Sequence, residues 1–387
     1  MIPYGRQDIQ DSDIAAVVEV LKSDFLTQGP VVPQFEKVVA QYCGAAHAIA
    51  ANSATSALHI ALMALDVGPG DLVWTSTNTF VASSNAALYC GAQVDFVDID
   101  PDTYNMSVFA LREKLDHAEQ VGELPKVVIP VHLTGQPCEM QTINELAQRF
   151  GFKVVEDASH AIGGRYRGKP IGNCAYSDIT VFSFHPVKIV TTAEGGMALT
   201  NQADLAEKMG LYRSHGITRD PALMTHPADG PWYYQQIALG YNYRMTDLQA
   251  ALGVSQMHRL QDYIERRHAI ADCYTLGLAD LPLKLPAQLD LAYSAYHLYV
   301  VRLDLAAIAP LSHVEVFQAL RNRRILVNLH YIPVHTQPYY QNLGFAWGDF
   351  PNAEAYYRSA ISIPMYPTLT DASQRQIISA LHEILAK

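Results

Sequence analysis

Strand-like and helix-like segments alternate through the first 250 residues, and this alternation restricts the fold more than any other feature. Several of the strand-like runs are apolar almost throughout, as strands covered on both faces are. These runs are DLVWTS, QVDFVDI, KVVIPVHL, FKVVED, ITVFSF and GGMALT. Between them, TSALHIALMAL, VASSNAALYCGA and EMQTINELAQRFG carry apolar residues at helical spacing. The alternation predicts an α/β protein with a mostly parallel sheet covered by helices.

The alternation ends at Thr246, where a long helical pattern begins. Beyond that pattern, HLYVVRL and ILVNLHY predict two strands, and helices are expected after His313, Asn352 and Thr370. A chain of 387 residues is longer than one hydrophobic core usually serves. We therefore expect a large domain at residues 1–250 and a smaller α+β domain at residues 251–387.

The charge and the cysteines exclude several classes of protein. The formal net charge is −11, and the only cluster of basic residues is RNRR at 321–324, so a nucleic-acid partner is not expected. The five cysteines are scattered without a CxxC pair, which favours neither a disulfide framework nor a zinc site. The sequence shows no signal peptide and no apolar run that could span a membrane, so we expect a cytoplasmic protein.

Three polar segments lie beside predicted strands. VVEDASHA places Asp157 directly after a buried run, and ITVFSFHPVK continues from a strand into Lys188. In an open parallel sheet, ligands bind at the carboxyl ends of the strands. The third segment, NSATSALHIAL, places residues 52–55 before a helix whose first N–H groups favour an anion. Pyridoxal phosphate requires these three features: a carboxylate for its ring nitrogen, a lysine for its aldehyde and a cradle for its phosphate.

Each of these features also has a purely structural interpretation. An aspartate or a hydroxyl residue before a helix usually caps it, and a lysine on a polar loop is usually solvated. Lys188 differs because Val187, Ile189 and Val190 surround it in the sequence. Apolar neighbours remove water from an amine, which lowers its pKa and makes it a better nucleophile. We therefore expect Lys188 to react.

Many segments together resemble the DegT/DnrJ/EryC1/StrS family of sugar aminotransferases, which are fold-type I enzymes that depend on pyridoxal phosphate. The resemblance covers nearly the whole chain. The matching segments occur in the order LTQGP, NSATSALHIAL, TFVASSNAALYCGA, VHLTGQPCEM, VVEDASHAIGG, FSFHPVKIVTTAEGG, YRSHG, GYNYRMTDLQAALG, LHYIPVH and SIPMYPTLT. The resemblance implies that Lys188 forms the Schiff base with the cofactor and that Asp157 is the partner of its ring nitrogen.

The same resemblance implies the remaining cofactor contacts within the chain. Ala54, Thr55 and Ser183 would hold the phosphate, although many family members have glycine at the first of these positions. Phe80 would stack on the cofactor ring. His160 stands where many members have glutamine and would lie near the phenolic oxygen of the cofactor. These positions are all expected at one site.

The resemblance also implies a homodimer and the substrates. Asn242 corresponds to a residue that reaches the phosphate of the neighbouring subunit, so the active sites are expected to be shared. The most similar subgroup, the C4 transaminases of pseudaminic acid biosynthesis, moves an amino group from L-glutamate to a UDP-linked 2-acetamido-2,6-dideoxy-hexulose. The implied contacts with this nucleotide-linked keto-sugar are Tyr4, Leu26, Thr27, Gln28, Gly29, Asn328, Leu329, His330 and Tyr331.

Two alternatives remain at the level of sequence. A pyridoxal-phosphate-dependent sugar dehydratase would share the fold, but that branch replaces the Schiff-base lysine by histidine, and this chain has Lys188. A regulator that binds the cofactor without turnover would also share it. None of the motifs is degraded and no DNA-binding segment is attached, so an enzyme is favoured.

Overall fold

The computed structural model describes residues 1–385 and places a seven-stranded sheet in the first part of the chain. The strands of this part of the chain are β1 (His47–Ala51), β2 (Leu72–Ser76), β3 (Gln93–Val97), β4 (Val127–Ile129), β5 (Lys153–Asp157), β6 (Arg165–Tyr166), β7 (Lys169–Pro170), β8 (Ile179–Ser183) and β9 (Gly196–Thr200). The sheet has the order β1-β9-β8-β5-β4-β2-β3, whereas β6 and β7 form a separate hairpin. All six predicted strand-like runs of this region are strands.

The central sheet is mostly parallel, as the alternation predicts. The five strands β8, β5, β4, β2 and β3 run in one direction, and only β9 is antiparallel to its two neighbours. Residues of β4 and β8 are buried along their whole length, which explains why these runs are apolar nearly throughout. The α/β fold class is therefore confirmed, and β1 is a strand that the pattern did not reveal.

Helices cover both faces of this sheet and then lead out of it. Their bounds are α1 (Asp11–Leu21), α2 (Val31–Cys43), α3 (Ala54–Ala64), α4 (Ala82–Tyr89), α5 (Val108–Val121), α6 (Met140–Phe150), α7 (Ala203–Arg213), α8 (Asp247–Met257) and α9 (Leu260–Gly277). The long helical pattern from Thr246 is thus two helices rather than one. None of the helices within residues 1–385 is long and apolar enough to cross a membrane.

The later part of the chain adds smaller sheets and further helices. These elements are β10 (Ile217–Thr218), β11 (Gln235–Gln236), β12 (Leu283–Lys284), β13 (Ala292–Tyr293), β14 (Tyr299–Leu303), β15 (Ala360–Ile363), α10 (His313–Asn322), α11 (Pro338–Gln341), α12 (Pro351–Tyr357) and α13 (Asp371–Leu385). Strands β12, β14 and β15 form an antiparallel sheet. The predicted boundary between residues 250 and 251 falls within α8 and stays a proposal.

The prediction that ILVNLHY forms a strand is wrong. This segment makes only isolated bridges, from Ile325 to Ile2 and from Asn328 to Ser362. Its backbone then leaves the small sheet, because the N–H of Tyr331 donates to the side chain of Asn78 at 3.1 Å. The chain therefore crosses to the large sheet, and its last residues face the carboxyl ends of the parallel strands.

A glycine lets the start of α3 approach these strand ends. A Cβ atom added to Gly196 in β9 would lie 2.4 Å from the backbone nitrogen of Ala54, where no side chain can fit. Ser53 caps the helix, and its hydroxyl accepts a hydrogen bond from the N–H of Ser56. The first turn of α3 is thereby fixed against the sheet.

Candidate active site

A cavity of about 530 Å³ lies at the carboxyl ends of β5 and β8 and at the start of α3. It collects most of the residues that the sequence singled out. The predicted residues that line it are Tyr4, Ala54, Thr55, Phe80, Asp157, His160, Ser183, Lys188, Asn328, Leu329, His330 and Tyr331. Residues separated by more than 300 positions in the sequence therefore share one site.

Lys188 follows β8 and lies in a turn in which its backbone N–H donates to the carbonyl of His185 at 2.9 Å. Its side chain is partly buried and lines the cavity. Burial lowers the pKa of Lys188 from 10.5 to about 8, although the nearby carboxylate of Asp157 acts in the opposite direction. The neutral amine that a nucleophile requires is therefore much more abundant near neutral pH than it is for an ordinary lysine.

Asp157 is the last residue of β5, and its carboxylate faces the cavity. Two donors hold it: the hydroxyl of Ser83 donates to Oδ2 at 2.6 Å, and the N–H of Ser159 donates to Oδ1 at 3.1 Å. Each carboxylate oxygen can accept a second hydrogen bond. Asp157 can therefore still accept a hydrogen bond from a protonated ring nitrogen.

Glu156, the alternative carboxylate, points to the other face of β5. His132 Nε2 lies 2.7 Å from its Oε2, and the hydroxyl of Thr180 donates to its Oε1 at 3.0 Å. The N–H of Cys138 donates to His132 Nδ1, so the ring proton is on Nε2 and is donated to Glu156. Burial alone would raise the pKa of Glu156, but the hydrogen bonds of His132, Ser177 and Thr180 keep it below its usual value.

The start of α3 and two hydroxyl residues form an anion cradle. Ala54 and Thr55 are the first two residues of the helix, whose opening N–H groups have no acceptor within the helix. Both residues line the cavity, and Ser183 lines it from the end of β8. The prediction placed Ala54 and Thr55 before the helix, whereas they form its first turn. This arrangement suits a phosphate.

An exposed aromatic ring stands at the edge of the cavity. The side chain of Phe80 is 58% exposed although Thr79 beside it is almost fully buried. Its ring centroid lies 5.9 Å from that of Tyr331. A large apolar ring exposed beside a lysine, a carboxylate and an anion cradle fits the flat ring of pyridoxal phosphate. The residues present therefore match the cofactor that the sequence predicts.

Neutral imidazoles form the wall beside Lys188. The N–H of Thr134 donates to His160 Nδ1 at 3.3 Å, so the ring proton of His160 is on Nε2. His160 Nε2 donates this proton to the hydroxyl of Tyr331 at 3.1 Å. Burial, together with the charge of Lys188, keeps the pKa of His160 well below its usual value and lowers that of His330 to about 3. The wall therefore carries hydrogen-bonding groups but no additional positive charge.

Five predicted residues lie outside this cavity. Asn242 is exposed and pairs with Ser214 through a β-bridge. The segment 26–29 packs against the start of α8, because the carboxylate of Asp247 accepts the N–H of Gly29 at 2.6 Å. None of the residues Leu26, Thr27, Gln28, Gly29 and Asn242 lines the cavity of its own chain.

Sequence reasoning missed several residues of the site, and three of them contact Asp157 or His160. Ser83 binds the Asp157 carboxylate, Ser159 donates to it, and His297 packs against His160 with ring centroids 4.4 Å apart. His297 is the first residue of HLYVVRL, a run whose pattern predicts only a strand. A hydroxyl in the first turn of the helix after Phe80 was the available signal for Ser83.

Known proteins are similar to this chain in sequence and in fold. A model of the DegT/DnrJ/EryC1/StrS aminotransferase family matches residues 7–382. The spore coat polysaccharide biosynthesis protein SpsC of Bacillus subtilis is 40% identical over 99% of this chain and 97% of its own length. The putative sugar aminotransferase Spr1654 of Streptococcus pneumoniae, solved in its PMP-form, has a TM-score of 0.89 at 30% identity over 99% of both chains.

A second similar structure is that of an enzyme from a named pathway. Helicobacter pylori PseC is described as an aminotransferase involved in the biosynthesis of pseudoaminic acid. Its TM-score with this chain is 0.90 at 29% identity, and the match covers 99% of each chain. The likeness therefore extends over the whole fold and includes the regions that build the cavity.

Proposed function

This chain belongs to the DegT/DnrJ/EryC1/StrS aminotransferase family and is a sugar aminotransferase that depends on pyridoxal phosphate, and we propose which sugar it aminates. It transfers an amino group from L-glutamate to the C4 ketone of a UDP-linked 2-acetamido-2,6-dideoxy-hexulose. The product is a UDP-4-amino-4,6-dideoxy sugar for a surface glycan of the pseudaminic acid type. The similarity to SpsC and PseC, which are named for polysaccharide and pseudoaminic acid biosynthesis, supports this proposal.

The observation that carries the proposal is the uncharged wall that faces Lys188. Among residues 1–385, Lys188 is the only lysine or arginine that lines the cavity. Tyr4, Asn328 and Tyr331 line it with a phenol, an amide and a second phenol. Such groups pair with the hydroxyl and acetamido groups of a sugar. A keto-sugar is therefore the best fit as amino acceptor.

The chemical roles follow from the positions of the side chains. Pyridoxal phosphate, when bound, supplies the electron sink for the negative charge that develops at the donor's Cα. Lys188 Nζ would hold the cofactor and, once free, would accept the proton from that Cα as a general base. The Asp157 carboxylate would keep the ring nitrogen protonated. Ala54, Thr55 and Ser183 would bind the phosphate, and Phe80 would cover the ring.

We place the phosphate contact of Asn242 in a neighbouring subunit. Asn242 and residues 26–28 are exposed in the single chain and lie outside its own cavity. Exposed residues of this kind suit a homodimer in which each subunit completes the site of the other. The proposed contact explains why these motifs belong to the resemblance although they line no cavity here.

A complementation experiment tests the shared site. Asn242→Asp should inactivate by placing a carboxylate against a phosphate, and Lys188→Ala should inactivate by removing the amine. In a mixed dimer, one site then carries both changes and the other carries neither. A 1:1 mixture, unfolded and refolded together, should regain roughly a quarter of wild-type activity, because half the dimers are mixed and half of their sites are intact. A refolded mixture that is heterodimeric but inactive would place Asn242 elsewhere.

The substrates are tested with a panel of keto-sugars. Purified protein is incubated with pyridoxal phosphate, L-glutamate and a series of UDP- and dTDP-linked 3-keto and 4-keto sugars, and the products are identified by mass and NMR. The proposal expects the fastest turnover with the UDP-linked 4-keto-2-acetamido sugar. Preference for a dTDP-linked or a 3-keto sugar would contradict it. The donor is tested in the same assay by replacing L-glutamate with L-glutamine or L-alanine.

A further inference from the structure

A hydroxyl chain lies behind the Asp157 carboxylate. The hydroxyl of Ser83 lies 2.6 Å from Oδ2, and the hydroxyl of Thr79 lies 2.8 Å from that of Ser83. Ser83, Thr79 and Asp157 are all buried, with at most 5% of each residue exposed. Water is therefore largely excluded from these contacts.

The protonation of the groups fixes which of them donates in each of these two hydrogen bonds. An ionised carboxylate only accepts hydrogen bonds, so the single proton of the Ser83 hydroxyl is donated to Asp157. Thr79 must then be the donor to Ser83 Oγ. Hydrogen bonds to charged groups are shorter and stronger than neutral ones, which agrees with the 2.6 Å distance. The order is therefore Thr79 to Ser83 to Asp157.

The loop that carries Thr79 and leads to Ser83 in α4 is anchored at its start. It runs from the end of β2 through Phe80 to the start of α4. The N–H of Val334 donates to the carbonyl of Thr77 at 2.9 Å, and the side chain of Asn78 accepts the N–H of Tyr331. The segment that supplies the substrate wall thus holds the loop in place. Ser83 consequently has a fixed position relative to Asp157.

We infer that Ser83 is a positioning residue that fixes the Asp157 carboxylate for its hydrogen bond with the cofactor's ring nitrogen, and that Thr79 supports it. The inference rests on the role proposed above for Asp157. The hydroxyl of Ser83 and the N–H of Ser159 each occupy one acceptor position, one on each oxygen. The carboxylate cannot rotate without breaking a bond, so its remaining lone pairs keep one direction.

The next residue in the chain provides a matched control. Ser84 is as fully buried as Ser83, but its hydroxyl donates to the carbonyl of Val81 at 3.0 Å and pairs with the hydroxyl of Tyr340. It makes no contact with Asp157. Ser84→Ala therefore removes the same atom from the same helix turn without touching the carboxylate.

The experiment compares two ligands of the full-length apoprotein. One is pyridoxamine phosphate, and the other is its 1-deaza analogue, in which a C–H group replaces the ring nitrogen. Neither can form the covalent link with Lys188, so their dissociation constants, measured by calorimetry, report only noncovalent contacts. Wild-type protein should prefer pyridoxamine phosphate. Ser83→Ala should reduce this preference about tenfold, the size expected for a hydrogen bond to a charged group.

Three further variants distinguish a positioning role of Ser83 from a general loss of stability. Ser84→Ala should keep the wild-type preference, Ser83→Thr should restore it because a hydroxyl is present, and Thr79→Val should reduce it only about twofold to threefold because the effect is indirect. Any loss of stability that weakens both ligands equally leaves the ratio unchanged.

Two outcomes would overturn the inference in distinguishable ways. If Asp157→Ala abolishes the preference but Ser83→Ala retains it, the positioning role is wrong and the role of Asp157 stands. If Asp157→Ala also retains the preference, Asp157 does not contact the ring nitrogen, and both proposals fail.

Discussion

The two faces of β5 use the same chemical group for different purposes. Asp157 on one face lies in the cavity with Lys188, and Glu156 on the other face is enclosed by His132, Ser177 and Thr180. Both carboxylates are at most 5% exposed. Successive side chains of a strand point to opposite faces, so a shift of one position in the chain separates a functional carboxylate from a structural one.

The difference lies in the remaining hydrogen-bonding capacity. Glu156 accepts from three side chains, and these satisfy it within the protein. Asp157 accepts from only Ser83 and the backbone of Ser159, so lone pairs remain on the cavity side. A carboxylate available for a ligand is therefore recognised by its unused acceptor positions, and burial alone does not identify it.

The largest effect is expected on the cavity face at Lys188. Lys188→Ala should abolish turnover, because no other amine lines the cavity within residues 1–385. The variant should still fold and bind pyridoxamine phosphate, since the phosphate and ring contacts remain. In the wild type, borohydride should fix the cofactor to Lys188, and peptide mapping of the adduct checks this. An adduct on another lysine would remove Lys188 from the proposed mechanism.

Asp157→Asn should give the next largest effect. The change removes the charge that favours a protonated ring nitrogen, so proton abstraction from the donor should slow by about 10² or more. Single-turnover absorbance with L-glutamate measures this step directly. Melting temperature should change little, because the amide oxygen can accept the N–H of Ser159 and the Ser83 hydroxyl can turn to the carbonyl of Phe80 and accept from the NH2 group. Near-normal rates with cofactor bound would mean that the two faces of β5 do not differ in function.

Glu156→Gln should lower the stability of the protein and leave its catalytic rate nearly unchanged. The amide oxygen can stay on the Nε2 proton of His132, but the NH2 group then replaces the oxygen that accepts from Ser177 and Thr180. The loss of the charge and of these hydrogen bonds in a buried site should reduce the free energy of unfolding by about 2–3 kcal/mol. Urea unfolding measures this loss, and the rate per folded molecule should stay within about threefold of wild type.

The loss at Glu156 should depend on pH in a defined way. The folded-state pKa of Glu156 lies below the ordinary value of 4.5, so the wild-type advantage is fully present above about pH 4.5. It should shrink as the pH falls through the lower folded-state pKa. A constant difference between wild type and Glu156→Gln down to pH 2 to 3 would contradict the proposed network.

The smallest effect concerns the pH at which the apoprotein captures pyridoxal phosphate. Capture requires the neutral amine of Lys188, whose pKa is lowered by burial to about 8, so the rate should rise with pH with a midpoint near pH 8. The Asp157 carboxylate raises this pKa, so Asp157→Asn should move the midpoint to lower pH. Glu156→Gln should leave it in place. Stopped-flow absorbance checks all three proteins.

Several features of the site could be predicted from local sequence. The run KVVIPVHL and its neighbours predict buried parallel strands, and the ends of such strands meet at one edge of a sheet. Asp157 and Lys188 follow two of these strands, so their meeting was predictable. The apolar residues around Lys188 also predicted the direction of its pKa shift, which the structure confirms.

By itself, the sequence determined the α/β class, the positions of the main strands and the lysine and aspartate at their ends. Buried strands and helices each leave a characteristic spacing of apolar residues in the sequence. Only the tertiary structure decided that Ser83 meets Asp157 across 74 positions and that the segment after Ile325 leaves its sheet. It also decided that Asn242 lies outside its own cavity. Such contacts depend on strand order and on distant hydrogen-bond partners, and no local pattern of residues records either of them.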